Sequence, residues 1–249
     1  MDIAFIYSEK DPASFLMQKK LKELGNFRFY KEENLLFTNI CNKIDGNLIF
    51  LSKHESREKI KSICLHFTGN FDKAIYGGKD RQLSLANPLL LKNIFLEVLK
   101  EDIKEFNLTL EVTHHGPLCN KPHCFIEIGS TEKEWNNEEI ASKIVNSIVR
   151  AIKKRVNWKV SIGFGGTHYC PKFNKIEAES DFALGHICPK YFIDKLDYNL
   201  FLQMINKSNI KPDYVLIDKK GTTSMQRKKI KDFVEKYNGE NNVLKIIKV

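Results

Sequence analysis

Two adjacent histidines, His114 and His115, follow a short apolar segment and precede Gly116 and Pro117. Imidazoles are well suited to bind zinc or to transfer protons near neutral pH. Successive residues of a strand point to opposite faces, so the pair can serve one site only where the strand ends and the backbone turns. Glycine and proline favour such a turn. We therefore expect one histidine to reach a reacting centre and the other to orient it or hold the loop.

Polar side chains also follow other predicted strands at the point where each strand ends. In an open α/β sheet the carboxyl ends of parallel strands share one edge, and ligands bind in the crevice there. A single histidine near a strand end is more often structural, but burying several imidazoles without a metal ion, a substrate or partners is costly. We therefore expect the five histidines in such positions to share one pocket. They are His54, His114, His115, His168 and His186.

A carboxylate joins this set in the predicted strand 124–128. Glu127 alternates there with two isoleucines, so its side chain faces the opposite side of the strand. In that position it is either solvated on an edge strand or directed into a polar cavity, as a ligand or as a partner of ligands. Two further histidines, His66 inside an apolar strand and His123 in a loop, receive no role.

The familiar nucleophile and nucleotide motifs are absent from the sequence. Ser161 has Lys159 where a nucleophile elbow needs glycine. His54 begins a segment that lacks the second histidine of a zinc-protease helix, and the glycine-rich loop 77–80 has Asp80 where a phosphate-binding loop has a hydroxyl residue. What remains is chemistry by imidazoles and a carboxylate, most simply a metal-activated water attacking a carbonyl.

The charge of the chain is compatible with a polyanionic partner. Its 249 residues carry a net charge of +9 and give a pI of about 9.1, and such proteins attract nucleic acids in a salt-dependent way. Basic residues are densest in 150–159 and in 219–231. The first of these segments also ends a predicted helix, where cations suit the helix dipole. From charge alone, nucleic acid and a solvated lysine-rich surface are equally favoured.

Cysteine usage and the start of the chain both favour the cytosol. The sequence begins without a basic segment followed by an apolar one, and no apolar segment approaches the roughly 18 residues that span a bilayer. Six cysteines lie far apart, which favours reduced thiols over a disulfide framework. Cys119, His123 and Cys124 match no zinc-site spacing, so an ordinary loop is expected there.

Strands alternate with helices along the chain without a linker or a repeat, which predicts one α/β domain spanning residues 1–249. We expect a three-layer α/β/α sandwich around one mostly parallel sheet. The sheet becomes mixed if segments 27–30 and 35–38 pair as an early hairpin. A capping box that begins at Thr131 predicts a single long helix to about Arg155.

Several motifs follow one another in a fixed order along the chain. They are Ser-Lys-His-Glu-Ser at 52–56, the paired histidines, 125–131 with Trp135, Gly-Phe-Gly-Gly-Thr-His-Tyr at 163–169, and Gly185-His186. In this combination the sequence resembles the archaeal and plant type of D-aminoacyl-tRNA deacylase over nearly its whole length. The combination is specific, although no single motif would be. The chain departs from the family pattern at 119–124, which we expect to be a variable loop.

This resemblance implies a specific activity and setting. The activity is hydrolysis of the ester that joins a D-amino acid to the 3′ end of tRNA, which releases free tRNA. The family is described as zinc-dependent and cytosolic, with a fold similar to bacterial peptidyl-tRNA hydrolase and to nucleoside phosphorylases. A tRNA partner would account for the basic surface. The number of zinc ions, one or two, and the preferred amino acid stay open.

The resemblance and the strand-end pattern together define candidate roles. The catalytic candidates are His54, His115, Glu127 and His168. The zinc-ligand candidates are His114, His115, His168 and His186. Amides around Gly165 and Gly166 are candidates for stabilising an oxyanion. Contacts to the tRNA 3′ end or its phosphates are expected from Lys53, Asn70, Lys219 and Lys220.

Two other functions fit parts of the same pattern. A metal-dependent amidase or peptidase acting on a small substrate needs the histidines but not the charge. A non-catalytic RNA-binding protein needs the charge but not the histidines. We expect a monomer, with a weak dimer as the alternative, and no association with a membrane.

Overall fold

The computed structural model describes residues 2–240 and 243–249. In these residues the chain forms ten β-strands and eight α-helices, numbered here in chain order. The strands are β1 Ile3–Tyr7, β2 Arg28–Lys31, β3 Asn47–Glu55, β4 Ser62–His66, β5 Asn107–Leu110, β6 His123–Ser130, β7 Lys159–Phe164, β8 Phe182–Cys188, β9 Tyr214–Ile217 and β10 Lys245–Lys248. The helices are α1 Pro12–Leu24, α2 Pro88–Val98, α3 Glu132–Trp135, α4 Glu138–Ala151, α5 Pro171–Glu179, α6 Lys190–Ile193, α7 Tyr198–Asn206 and α8 Ser224–Glu240.

The strands form two sheets rather than the single sheet expected. The first has the order β2-β1-β3-β6-β4-β5, and only its β4–β6 pair is antiparallel. The second has the order β10-β9-β7-β8 and is parallel throughout. The sheets meet where the chain leaves β5, because the amides of Val112 and Thr113 donate to the carbonyl oxygens of His168 and Ile187 at 3.0 and 3.1 Å. An α/β fold with mostly parallel, mixed strands is confirmed.

Three apolar clusters stabilise these layers. The largest joins α1, α2 and α4 to one face of the first sheet and extends to β8 and α5. A second cluster packs α7 and α8 against β7 and β9. A third covers the other face of the first sheet, where residues 35–44 lie against Phe50 and Phe125. Among the described residues, no helix has the length and apolar character needed to cross a membrane.

Helix ends follow the capping residues of the sequence, with one correction. Asp11 caps α1 by accepting a hydrogen bond from the amide of Ser14 at 2.9 Å. The capping box at Thr131 is present, but the helix that it starts ends at Trp135. The side chain of Asn137 then accepts a hydrogen bond from the amide of Ile140 and starts a second helix. The single helix predicted to Arg155 is therefore wrong, because asparagine favours a new cap over helix continuation.

The predicted hairpin between 27–30 and 35–38 is also wrong. β2 pairs parallel with β1, because α1 carries the chain back along the sheet before β2 begins. Residues 35–38 form no strand, and Leu35 and Leu36 instead pack in the third apolar cluster.

One pair of cysteines contradicts the prediction of six reduced thiols. Cys41 and Cys119 form a disulfide between residues 78 positions apart in sequence. Cys64, Cys124, Cys170 and Cys188 are free and buried. The spacing gave no sign of the pair, because the third cluster brings the 35–44 segment against the loop before β6 only in the folded chain.

His123 is a structural residue, since its Nδ1 donates to the carbonyl oxygen of Leu85 at 2.9 Å.

A buried lysine and glutamate connect α2 to α5. The Lys92 ammonium donates to the carbonyl oxygens of Glu177 and Ser180, so it caps the end of α5. The Glu177 carboxylate accepts a hydrogen bond from the amide of Leu184 at 3.0 Å. Burial raises the pKa of Glu177 to about 8, although the charge of Lys92 opposes the shift.

This carboxyl is expected to make the stability of the protein pH-dependent. A raised pKa stabilises the fold fully below the ordinary value of 4.5, and that contribution is lost as the pH rises through about 8. Glu177→Gln removes the titration. From pH 5 to pH 8 the wild type should lose on the order of 3 kcal/mol more unfolding free energy than this variant. Urea denaturation at both pH values measures the difference, and parallel losses in the two proteins would refute the assignment.

Candidate active site

A cavity of about 1070 Å³ opens where the first sheet meets the loop between β7 and α5. Its wall includes residues 52–57 at the end of β3 and residues 33–36 from the segment that covers the sheet. His54, Glu127 and His168 line it together with the paired histidines His114 and His115. The strand ends thus deliver to one place five of the candidate residues expected there.

Glu127 lies in the centre of this cluster. It extends from β6 on the face opposite Ile126 and Ile128, as the alternation predicts, and is buried. One carboxylate oxygen lies 3.3 Å from His54 Nδ1. The other lies 3.4 Å from His66 Nε2 and 4.0 Å from His115 Nε2. A single carboxylate therefore contacts imidazoles delivered by β3, β4 and the loop after β5.

A second buried carboxylate, Glu111, follows β5 and mirrors this arrangement. Its Oε1 lies 3.1 Å from His168 Nε2 and 3.6 Å from His54 Nδ1. Its Oε2 lies 3.8 Å from His114 Nε2 and 3.9 Å from His66 Nε2. Two carboxylates and five imidazoles thus form one continuous polar cluster.

The turn after β5 lets both paired histidines enter the cluster. His115 has φ +43°, a left-handed backbone that brings its ring next to that of His114, with centroids 4.3 Å apart. The Nδ1 atoms face the backbone carbonyl oxygens of Val112 at 2.8 Å and Gly116 at 2.5 Å, to which each N–H donates. Each Nε2 lone pair consequently faces a carboxylate. The structure brings both rings to the centre, whereas the sequence predicted that only one would reach it.

Burial and the carboxylates divide four of the imidazoles into two groups. Burial lowers the pKa of His114 far below its usual value and that of His115 to about 3, so both rings are neutral. Burial also opposes protonation of His54 and His66, but the adjacent carboxylates outweigh it and raise both pKa values. Neutral imidazoles are the form that binds metals.

The pKa values of the two carboxylates are shifted in the direction opposite to the one that burial alone would give. Burial would raise the pKa of each, but contact with His168 and the other imidazoles lowers that of Glu111. Contact with His54 and His66 likewise lowers that of Glu127. Both carboxylates are therefore ionised at neutral pH.

The donor atoms of this cluster fit a zinc ion. His66 Nε2 and Glu111 Oε2 are buried without a hydrogen-bond partner and face each other. Three-residue sets of donors converge within 4.8 Å, including His66, His114 and His115, and Glu111, His114 and His168. Imidazole nitrogens with carboxylate oxygens are ligands that zinc prefers in sites with an open position. A divalent cation would also offset the two buried negative charges.

Comparison with known proteins places the chain in a family. The model of the D-aminoacyl-tRNA deacylase family matches residues 42–241. The D-aminoacyl-tRNA deacylase of Saccharolobus solfataricus is 36% identical over 245 residues, which cover 97% of this chain and 98% of the relative. The chain belongs to the D-aminoacyl-tRNA deacylase family.

Another relative agrees with this assignment, and a solved structure shares the fold. The D-aminoacyl-tRNA deacylase of Pyrococcus furiosus is 37% identical over 186 residues, which cover 74% of this chain and 68% of the relative. The crystal structure of AF0625, a conserved protein of unknown function, has a TM-score of 0.92 at 29% identity and covers 99% of this chain and 94% of its own. The two-sheet architecture is thus shared with a solved structure.

Three groups of predicted site residues lie outside the cluster of this deacylase-family chain. Both ring nitrogens of His186 are occupied: Nδ1 lies 3.0 Å from Thr113 Oγ1, and Nε2 lies 3.0 Å from the carbonyl oxygen of Ser84. The amides of Gly165 and Gly166 already donate to other carbonyl oxygens. Lys219 and Lys220 are exposed on the loop after β9, away from the cavity lining.

Asn70 and Lys53 lie closer to the cavity. The Asn70 amide donates to the carbonyl oxygen of Gly77 at 3.0 Å and so holds the loop that receives the amide of Gly116. Asn70 thus supports the turn after His115. Lys53 lines the cavity rim, where its ammonium lies 4.4 Å from the ring centre of Trp135.

Sequence reasoning missed several residues that complete the site. His66 received no role because its apolar strand gave no sign that its ring faces two carboxylates. Glu111 was hidden in the segment before the paired histidines. Tyr169 lies beside His168 and places its hydroxyl 3.2 Å from His54 Nε2. Trp135 donates its indole N–H to the carbonyl oxygen of His54 at 2.9 Å; the sequence indicates this residue only through its place in a family motif.

Proposed function

We propose that this protein hydrolyses the ester between a D-amino acid and the 3′ end of tRNA, releasing free tRNA and the D-amino acid. The cluster of two ionised carboxylates and five imidazoles inside one cavity carries this proposal. It supplies ester-hydrolysing groups at the strand ends of a chain whose relatives are named D-aminoacyl-tRNA deacylases. Nucleophile motifs are absent, which favours direct attack by water over a covalent intermediate.

Different residues of the cluster can carry out the two proton transfers of this reaction. Attack of water on the ester carbonyl releases a proton, and the leaving 3′ oxygen needs one. Glu127 and His54 form a hydrogen-bonded pair that can hold the proton at His54 Nδ1. His54 Nε2 contacts the Tyr169 hydroxyl, which leads from the cluster toward the cavity wall. His168 is the most exposed imidazole of the cluster at 37%. Because its Nε2 lies against Glu111, its Nδ1 is the nitrogen suited to face the leaving oxygen.

Zinc is part of the proposal, with one or two ions per chain. The ligands would come from the Nε2 atoms of His66, His114, His115 and His168 and from the oxygens of Glu111 and Glu127. When bound, zinc would polarise the ester carbonyl and lower the pKa of water. His66 takes the place that the sequence gave to His186, because both nitrogens of His186 already have partners.

The substrate side of the proposal follows from the cavity rim and the net charge. Lys53 and Arg57 line the cavity, where they can contact phosphates of the tRNA 3′ end. Selection of the D-enantiomer would come from walls that exclude the L side chain. We place the protein in the cytoplasm with its substrate and expect it to act as a monomer.

One assay separates this function from its two rivals. Matched D- and L-aminoacyl-tRNAs are incubated with the protein, with and without a chelator, and with zinc restored. A deacylase should hydrolyse the D form at least a hundredfold faster and lose activity reversibly in chelator. Equal rates on both enantiomers would refute the proposal. No turnover with added zinc would favour the RNA-binding protein, and hydrolysis of small amides alone would favour the amidase.

A close contact under His54 gives a further prediction. Gly129 lies beside His54 in the β3–β6 register, and a Cβ atom there would lie 2.7 Å from His54 Cβ and 2.8 Å from Cδ2. Gly129→Ala should displace the ring and lower kcat by about a hundredfold, with a smaller change in KM. Gly239→Ala, which meets no atom within 4 Å, is the control. A kcat within twofold of the wild type would show that the position of His54 does not matter.

A further inference from the structure

A second concave surface lies at the edge of the second sheet. A groove of about 600 Å³ runs between α8 and the edge strand β10. Its charged lining is entirely basic and comes from Arg227, Lys228, Lys231 and Lys248. Two isoleucines and Ser224 complete the lining. The groove is separate from the catalytic cavity, and none of its residues lines both.

Few acids neutralise the cations of this groove. Lys231 pairs with Glu235 at 3.1 Å, an exposed contact worth little. Arg227 donates to the carbonyl oxygens of Thr222 and Lys219. Across residues 2–240 and 243–249, the exposed ammonium groups of Lys228 and Lys248 have no ion-pair partner. Such positive charge on a concave surface attracts an anion.

The groove is structurally continuous with the loop that delivers His168. The Asp218 carboxylate accepts hydrogen bonds from the amides of Lys220 and Gly221, which fixes the turn after β9. The carbonyl oxygen of Gly221 accepts a hydrogen bond from the amide of Gly166, two residues before His168. Through this turn, the exposed lysines at 219 and 220 lie between the catalytic loop and α8.

We propose that the groove between α8 and β10, together with Lys219 and Lys220, binds the phosphodiester backbone of the tRNA acceptor arm. The inference rests on the proposed function, which puts the 3′ end in the catalytic cavity. Charge complementarity identifies the partner, because cations without acid partners release counterions from RNA when they contact its phosphates. Phosphate contacts position an RNA without reading its sequence, so the surface would serve tRNAs of different sequence.

Binding of uncharged tRNA tests the groove independently of catalysis. Lys228→Gln with Lys248→Gln removes two cations, whereas Lys19→Gln with Lys22→Gln on α1 removes two exposed lysines from the first sheet's helical layer. The groove variant should raise Kd about tenfold at low salt. The slope of log Kd against log salt concentration should decrease by the amount that corresponds to the loss of roughly two phosphate contacts. The α1 variant should match the wild type.

Turnover provides a second measurement. The preference in kcat/KM for full D-aminoacyl-tRNA over a D-aminoacyl CCA trinucleotide should fall about tenfold in the groove variant. Lys228→Arg with Lys248→Arg should keep the wild-type preference, since arginine retains the charge. An unchanged Kd and salt slope in the glutamine variant would refute the proposed role of the groove in RNA binding. Loss of binding in a folded arginine variant would refute it as well. If the wild type is inactive on both substrates, the proposed function is refuted. The binding measurement then decides whether the groove binds RNA.

Discussion

Replacing Glu127 with glutamine should lower the rate of D-aminoacyl-tRNA hydrolysis by about a thousandfold. The substitution keeps the shape of the side chain but removes the charge that contacts His54, His66 and His115. It removes the acceptor for a proton held at His54 and a ligand atom from the proposed zinc site, and each loss alone affects catalysis strongly. Single-turnover rates with enzyme in excess measure the effect.

A matched control distinguishes lost chemistry from lost stability. Glu177→Gln makes the same substitution at another fully buried glutamate, which lies between α5 and β8 and contacts none of the cluster. This variant should keep its single-turnover rate within about twofold. Equal losses in both variants would mean that replacing any buried glutamate with glutamine damages the fold, and the role of Glu127 would have to be abandoned.

His66→Gln is expected to have the next largest effect, a loss of about a hundredfold in kcat together with weaker zinc binding. The wild-type Nε2 is buried without a hydrogen bond and faces both carboxylates. Losing this nitrogen removes a proposed ligand. Without the imidazole, the negative charges of Glu111 and Glu127 can be neutralised only by protonation. Metal content by elemental analysis and kcat are both measured, so a purely structural defect can be separated from a ligand loss.

His123→Gln is the comparison for this prediction. His123 is equally buried, and its Nδ1 donates to the carbonyl oxygen of Leu85 while its Nε2 lies 2.9 Å from Thr68 Oγ1. This variant should lower the unfolding free energy by about 1–3 kcal/mol but leave zinc content unchanged. If His66→Gln behaves in the same way, the centre of the site lies elsewhere.

The position of Glu127 was predictable because strand alternation is a local rule. Knowing that Ile126 and Ile128 face the helices of the core is enough to direct Glu127 to the other face. The sequence also predicted the convergence of His54, His115 and His168, but from a shared carboxyl edge that the structure does not have. β5 runs parallel to β4 and therefore opposite to β3 and β6, and His168 follows β7 of the second sheet.

The remaining features depended on how distant segments pack. His66 enters the cluster because β4 pairs antiparallel with β6 and places it beside Phe125, a pairing that no local pattern encodes. The φ of +43° at His115 brings two neighbouring rings together against the alternation rule. The disulfide of Cys41 depends on the same kind of long-range packing.

The zinc-ligand prediction for His186 shows the limit of spacing arguments. It follows glycine at the end of a strand, as a ligand often does, but β8 belongs to the second sheet. Its ring is directed to the carbonyl oxygens of Ser84 and Lys207 instead. A single-sheet interpretation placed this strand end at the wrong edge.

The most direct test of the central claim is the stereochemistry of the reaction at the cluster. Single-turnover hydrolysis is measured for D- and L-aminoacyl esters of the same tRNA, with enzyme in excess and zinc present. The cluster as a D-aminoacyl-tRNA deacylase centre predicts a D-to-L rate ratio of at least a hundred in the wild type, and a D rate about a thousandfold lower in Glu127→Gln. A ratio near one, or a D rate that Glu127→Gln does not change, would contradict it.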